Sequence, residues 1–238
     1  MALATASVPV HLGIIMDGNG RWAAGRKIPR SEGHKEGLKV AKAITKAASD
    51  LGIRYLSLYV FSTENWKRAE QEVSFLMFLL KTHLLREWDF YRENRIRVVH
   101  SGDSEGLPTE VQQDLHQVVN DTAAFEGLTV NLAINYGGQD EILRAVRRWA
   151  SEPVRSELTA ATFSSFLDQA LPPVDLVIRT AGELRLSNFL LWESAYAELV
   201  FSEKLWPDWT AEDLIAAVSE YRGRNRRFGG HNTEEMRE

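Results

Sequence analysis

Short apolar runs alternate with segments of helical period along the whole chain, with no linker, low-complexity tract or internal repeat between them. Six runs read as strands: HLGIIM (11–16), YLSLYVF (55–61), IRVVHSG (96–102), LTVNLAIN (128–135), DLVIR (175–179) and ELVFS (198–202). Their apolarity is continuous rather than alternating, as expected of strands covered on both faces. Such strands separated by helical segments predict an α/β fold: a single domain with a central, mainly parallel six-stranded sheet flanked by helices.

Among the helical segments, Val40, Ile44, Ala47 and Leu51 recur at helical spacing, and Gly52 comes next at a natural C-terminal stop. Pro108, Thr109 and Gln112 read as a capping box opening a second helix, with Val111, Leu115, Val118, Val119 and Thr122 on one face. A last helix starts at Thr210, with Asp213 three residues on, and buries Leu214, Val218 and Tyr221. The stretch 72–94 reads as one helix of another kind. Its Phe75, Leu76, Met77, Phe78, Leu79, Leu80, Leu84, Leu85 and Trp88 wrap most of the way round, so apolar material is expected on both sides.

The 238 residues, 44% of them hydrophobic and 26% charged, suffice for a full core and fit one large domain better than two small ones. A net charge of −5 argues against a broad basic surface and against a nucleic-acid partner. Any anion site must come from a local cluster such as Arg21, Arg26, Lys27 and Arg30. The lack of cysteine removes disulfides, thiolate zinc sites and cysteine nucleophiles. MALATASVP (1–9) lacks the basic and apolar regions of a signal peptide and reads as a flexible lead, and no apolar stretch approaches the roughly 18 residues of a membrane span. The expectation is a soluble, cytoplasmic protein.

In parallel α/β sheets ligands sit beyond the carboxyl ends of the strands, so the segment after each apolar run is a candidate for ligand contact. Asp17-Gly18-Asn19-Gly20-Arg21 comes after the first run, and Ser62-Thr63-Glu64-Asn65-Trp66-Lys67-Arg68 after the second. Asn135-Tyr136-Gly137-Gly138 comes after the fourth, and the segment from Arg179 through Arg185 to Ser187 after the fifth. Gly13 to Gly18 has the glycine spacing of a nucleotide P-loop, but Asn19 and Gly20 stand where Lys and Ser/Thr are required. Gly18-x-Gly20-x-x-Ala23 matches the dinucleotide fingerprint, but the acidic partner expected at the end of the second strand is missing. Two readings of the first segment stand: a tight strand-to-helix turn, or a diphosphate site in which Asp17 holds a bridging divalent cation. A carboxylate beside an anion makes sense only with a cation between them. Arg179 and Arg185, with Ser187 at the expected start of a helix, suit a second diphosphate; the alternative pairs them with Glu183 and Asp175. Arg144, Arg147 and Arg148 read as a charged helix face.

HLGIIMDGNGRWA, the Arg30/His34 pair in RSEGH, LYVFSTENWKR, NYGG, DLVIRTAGELRLSNFLLWESAYAELVF, LWPDW and RRFGG resemble, in order and over nearly the whole chain, the cis-prenyltransferases, above all bacterial undecaprenyl diphosphate synthases. No two aspartates are adjacent, so the DDxxD motif of trans-prenyl synthases is missing. The resemblance implies a homodimeric catalytic domain (10–230, with a tail at 231–238) that condenses isopentenyl diphosphate with an allylic diphosphate such as farnesyl diphosphate. It implies Mg²⁺ on Asp17, with Glu198 as a second carboxylate. Gly18, Asn19, Gly20, Arg21, Trp22, Arg30 and His34 are placed in the allylic-diphosphate pocket, and Arg179, Arg185 and Ser187 in the isopentenyl-diphosphate pocket. Ser62, Thr63, Glu64, Asn65, Trp66 and Arg68 fall in a mobile segment closing over substrate, with Asn65, Ser62 and His34 as candidates for assisting proton removal. A structural role for His34 beside Arg30 at i,i+4 spacing stays open. Arg227-Phe228-Gly229 resembles a motif that reaches a diphosphate across the dimer interface.

The resemblance also gives the 72–94 helix a purpose: an apolar tunnel between sheet and helices, with Phe75, Phe78, Leu79 and Val60 as wall candidates. Val60 stands where the family often has Ala and would narrow the tunnel, and Ala69 stands where Pro is common and would loosen the mobile segment. A lipid product implies transient contact with a membrane surface. Competing readings are a short-chain relative, a non-catalytic partner subunit and a nicotinamide-dependent oxidoreductase.

Overall fold

The computed structural model describes residues 8–154 and 157–224. β1 (His11–Ile15) leads into α1 (Asn19–Gly25) and α2 (Arg30–Asp50). β2 (Tyr55–Ser62) passes through a 3₁₀ turn, Thr63–Lys67, to α3 (Glu70–Leu84) and α4 (Trp88–Glu93). Then come β3 (Arg97–Ser101), α5 (Thr109–Thr122), β4 (Thr129–Tyr136), α6 (Gly138–Ala150), α7 (Ala160–Ser164), β5 (Leu176–Arg179) and β6 (Glu198–Phe201). A second 3₁₀ turn, Trp206–Asp208, precedes α8 (Ala211–Arg222). The strands form one sheet in the order β3-β4-β2-β1-β5-β6, and every pairing is parallel.

β1 lies between β2 and β5, so the chain builds outward from it on one side and then on the other. That makes its carboxyl end the switch point where a crevice opens. Register sets three side chains at one level there, because Ile15 pairs with both Tyr59 and Arg179. One face of the sheet buries Ile14, Leu56, Phe61 and Ile134 against Ile44 of α2 and Leu115 of α5. The other buries Ile15, Tyr136 and Val177 against Phe189 and Leu190 of the β5–β6 connection.

Two helix starts differ in their chemistry. Thr210 and Asp213 form the expected capping box, with Thr210 N donating to Asp213 Oδ2 at 2.8 Å. At α5 the cap position falls on Pro108, Thr109 is already helical, and Gln112 donates instead to Leu107 O at 2.7 Å. The stretch 72–94 is two helices rather than one. α3 ends at Leu84 and α4 begins at Trp88, with Leu85 in the intervening turn. The all-round apolarity of α3 divides between core and solvent, since Met77, Leu79 and Leu84 are buried while Phe78 is exposed, and α4 buries no residue fully.

A polar strip crosses the sheet through its most buried layer. His11, Ser57 and Asn131, on β1, β2 and β4, are each 0–1% exposed. His11 Nδ1 lies 2.7 Å from Pro172 O and so carries the proton, which leaves Nε2 to accept from the Ser57 hydroxyl at 2.8 Å. Ser57 Oγ in turn accepts from Asn131 Nδ2 at 3.1 Å. The Ser57 link needs a neutral imidazole, and burial holds the His11 pKa below its ordinary 6.5. The unfolded chain therefore takes up the proton first, so this contribution to stability is complete above about pH 6.5 and shrinks as the pH falls. The melting temperature should drop between about pH 7.5 and about pH 5, and the drop should be smaller in His11→Gln; an equal drop in both proteins would remove His11 as its source.

Candidate active site

Asp17 comes directly after β1 at the switch point. Gly18 turns the chain with φ 110°, and a Cβ there would come 3.1 Å from Leu205 Cα and from Ala181 Cβ, so the turn requires glycine. Asp17 Oδ1 accepts from Gly18 N at 2.8 Å, and Oδ2 accepts from Arg179 Nη2 at 3.0 Å. Arg179 closes β5 and is 4% exposed. Its Nη1 donates to Ser187 Oγ at 2.6 Å and to Arg185 O at 2.7 Å, so one guanidinium ties the loop after β1 to the loop after β5. Arg185 and Arg21 meet on Glu183, at 2.5 and 3.4 Å.

A second cluster faces the first. Glu72, on the first turn of α3, draws in Arg30 at 2.8 Å, Arg68 at 2.9 Å and His34 at 3.5 Å. Burial raises the Glu72 pKa, but Arg68 and Arg30 outweigh it and hold the carboxyl below its ordinary range. Burial dominates at His34 and lowers its pKa, the nearby Glu72 offsetting only part of that. Gly20 lets Arg30 approach, since a Cβ there would lie 2.4 Å from Arg30 Nε. In the 3₁₀ turn, Asn65 Oδ1 accepts from Ser62 N at 3.1 Å, and Trp66 Nε1 donates to Asn135 Oδ1 at 2.7 Å. Glu64 accepts from Asn188 Nδ2 at 2.9 Å.

One cavity of about 710 Å³ is lined by Asp17, Gly18, Asn19, Gly20, Arg21, Arg30, His34, Ser62, Glu64, Asn65, Arg68, Arg179, Arg185 and Ser187. Four residues read from the sequence stand outside it. The Trp22 indole donates to Asp208 Oδ1 at 2.7 Å and is covered by Arg26 at 4.0 Å, so it braces α1. Thr63 packs beside Gly137, and Trp66 is turned toward Phe61 and Asn135. Glu198 starts β6, in register with Leu176, at the opposite end of the sheet from Asp17, and pairs with Arg224 at 2.9 Å. Within one chain it is not a second carboxylate beside Asp17. Arg227-Phe228-Gly229 and the 231–238 tail lie outside the described residues.

Two further readings change. Ser187 does not begin a helix; Ser187 and Asn188 adopt left-handed turn conformations, φ 48° and 67°. Arg144 and Arg148 are not a plain charged face, because both grip the buried Asp168. The sequence reading missed Glu72, Tyr59 and Asn188. Glu72 had a signal, an acid four residues after Arg68 at the i,i+4 spacing of a helical ion pair.

The residues around Asp17 fit a divalent cation. Among the described residues no group of three or more histidines and carboxylates gathers, so an all-protein metal cage is not built. Mg²⁺ is typically held by one or two carboxylates plus substrate phosphates and water, and Asp17 supplies a hard oxygen ligand of that kind. Arg179 Nε and Asn19 Oδ1, both buried near it, lack hydrogen-bond partners.

A smaller apolar cavity of about 170 Å³ adjoins the first, sharing Met16, Asn19, His34, Tyr59, Val60 and Leu76 with it. Leu58, Leu79, Leu80 and Leu84 line it further in, with His83 and Glu87 among its polar members. Phe75 and Phe78 do not line it, and Phe78 is 59% exposed on the outer side of α3.

Arg179→Ala should strip donors from Asp17, Ser187 and the Arg185 carbonyl together. A loss of about 1–3 kcal/mol in chemical denaturation is expected. Arg179→Lys should recover only part of it, because one ammonium cannot reproduce the fork.

The chain matches the family model described as putative undecaprenyl diphosphate synthase over residues 15–229. It is 56% identical over 220 residues to an isoprenyl transferase of Treponema denticola, covering 92% of this chain and 96% of that one. It is 44% identical over 229 residues to an isoprenyl transferase of Bacillus subtilis, covering 94% and 88%. Among solved structures, lavandulyl diphosphate synthase from Lavandula x intermedia in complex with dimethylallyl diphosphate aligns with a TM-score of 0.85 at 35% identity, covering 93% of this chain and 98% of that one. A probable undecaprenyl diphosphate synthase from Campylobacter jejuni aligns at 0.80 and 35%, with the same coverage. A family match over most of the length, on a sheet whose switch point gathers arginines around one aspartate, places the chain in the undecaprenyl diphosphate synthase family, as a prenyl-transferring enzyme.

Proposed function

We propose that the protein condenses isopentenyl diphosphate with an allylic diphosphate, farnesyl diphosphate or a close relative, adding cis-configured isoprene units to give a polyprenyl diphosphate. Undecaprenyl diphosphate, a lipid carrier for cell-wall synthesis, is the expected product. The observation that carries this reading is the junction of two cavities. A polar one has Asp17 between two arginine groups, and an apolar one opens from the same wall. Diphosphates suit the first and an isoprenoid tail the second.

Arg30 and Arg68 on one side, and Arg179 and Arg185 on the other, would each take one diphosphate. Their charge is most useful where negative charge grows as an allylic carbon–oxygen bond breaks. Mg²⁺ on Asp17, when bound, would supply Lewis-acid stabilisation to the departing diphosphate. Loss of a proton then restores the alkene. His34, held neutral by its lowered pKa, is the candidate to accept one, its buried Nε2 facing Glu72 at 3.5 Å. Ser62 and Asn65, on the turn beside it, would orient the reacting diphosphate. A homodimer is part of this proposal, as the resemblance to the cis-prenyltransferases implies. The described residues contain no helix long and apolar enough to cross a membrane, so product release would rely on transient surface contact.

The size of the apolar cavity favours a second reading, a short-chain enzyme, since about 170 Å³ is small for a long lipid. Incubation with labelled isopentenyl diphosphate, farnesyl diphosphate and Mg²⁺, with product length read by chromatography, separates the two. Asp17→Ala should cut turnover by about 100-fold or more while the protein stays folded and farnesyl diphosphate binding stays near that of the parent. Near-normal turnover in that variant would overturn the assignment.

A further inference from the structure

Behind the Ser187 loop, away from the cavity, three acids meet beneath the surface. Glu141, on the first turn of α6, is 1% exposed, and Glu193, on the ribbon between β5 and β6, is 8% exposed. Glu141 Oε2 accepts from the hydroxyl of the fully buried Tyr136, and Oε1 accepts from Asp168 N at 3.2 Å. Glu193 reaches Glu141 side chain to side chain, while its Oε2 is buried without a partner. The third acid, Asp168, uses up the nearby cations: Arg144 and Arg148 both bind it, and Gly102 N donates to it at 2.9 Å. Arg144 also pairs with Asp140. His100 faces Asp168 from β3, and burial keeps it below its ordinary pKa, so it adds no charge. Among the described residues no cation lies within ion-pair distance of Glu141 or Glu193.

Two buried carboxyls side by side, with no cation within ion-pair distance among the described residues, cannot both be ionised. We infer that Glu141 and Glu193 share one proton, and that this shared proton holds the Ser187–Asn188 turn in the shape that receives a diphosphate.

The route from pair to turn is short. Asn188 is fixed to the start of α6 by Gly138 N, which donates to its carbonyl at 2.7 Å, and by Gln139 N, which donates to its Oδ1 at 2.9 Å. Glu193 lies five residues further along the same ribbon and is tied to the same helical turn through Glu141. Both ends of the ribbon are thus anchored on one turn of α6. Tyr59 OH adds a bond to Ser187 O at 3.2 Å. At the first anchor and just around it, Ser187, Asn188 and Leu190 sit at positive φ, a conformation that persists only while its surroundings enforce it. Losing the shared proton sets two negative charges against each other and pushes the ribbon off the helix. Burial, then the neighbouring carboxylate, raises the Glu141 pKa well above the usual carboxylate range, so this loss falls at neutral to alkaline pH.

Linkage sets the sign. The folded state holds a proton that the unfolded chain has already released above the ordinary carboxylate pKa, so the pair costs stability increasingly as the pH rises. Glu193→Gln keeps the shape and a permanent donor and removes that dependence. The inference rests on the proposed role of Ser187 at a diphosphate, so the test has one arm free of it. Infrared difference spectra should show a protonated carboxyl in the parent at neutral pH that is missing from Glu193→Gln. The melting temperature of the variant relative to the parent should rise from about pH 6 to about pH 9. In the second arm, calorimetric affinity for isopentenyl diphosphate should weaken about threefold or more over that range in the parent relative to the variant. Missing protonated carboxyl signal, or a pH-independent difference in melting, overturns the shared proton. Parallel affinity profiles overturn its hold on the turn. If neither protein binds the diphosphate at any pH, the proposed function falls, and the infrared and melting arm still decides the shared proton.

Discussion

Arg179 stands at the end of a buried strand with almost no access to water, and a charge so placed must be met by oxygens at fixed distances. It meets three: the Asp17 carboxylate, the Ser187 hydroxyl and the Arg185 carbonyl. These belong to loops more than 160 residues apart in sequence. Their relative position is therefore set by one planar fork rather than by contacts spread over two flexible loops. The parallel register of β1 and β5 makes this possible, since it brings Ile15 level with Arg179. The rest of the cavity is assembled around that level.

The clusters on either side of Asp17 solve different electrostatic problems. Around Glu72, positive groups outnumber the one acid, and the cavity keeps a surplus suited to an incoming anion. Around Asp17 the carboxylate is held by a fork that also points at Ser187, so acid and base are fixed together. Behind the sheet, at Glu141 and Glu193, the balance is reversed, and acids outnumber the cations left to answer them. Charge is thus sorted by depth and side rather than mixed.

Much of the fold was legible because its signals are local. Each of the six apolar runs became a strand, because a buried parallel strand must be apolar along its whole length. The Thr210 cap was legible for the same reason, as donor and acceptor lie three residues apart. What escaped was decided by distant partners. The break between α3 and α4 carries no proline or glycine, and whether the chain turns there depends on what each half packs against. Glu198 lies on a strand of the right sheet but at its other end, a distinction that strand periodicity does not encode. Arg144 looked like a surface residue until Asp168, from a separate segment, was set against it. Glu72 was passed over because its meaning comes only from three basic partners that fold around it.

The apolar cavity has unequal walls. Its sheet side is built from β2, which is hydrogen-bonded to strands on both edges. Its other walls are α2, which is packed under Trp206, and α3, whose outer face turns Phe78 to solvent. A guest growing within it would therefore meet a stiff floor and one compliant wall. The work of expansion would fall mainly on α3, and the lipid would measure its own length as the bend it forces on that spring.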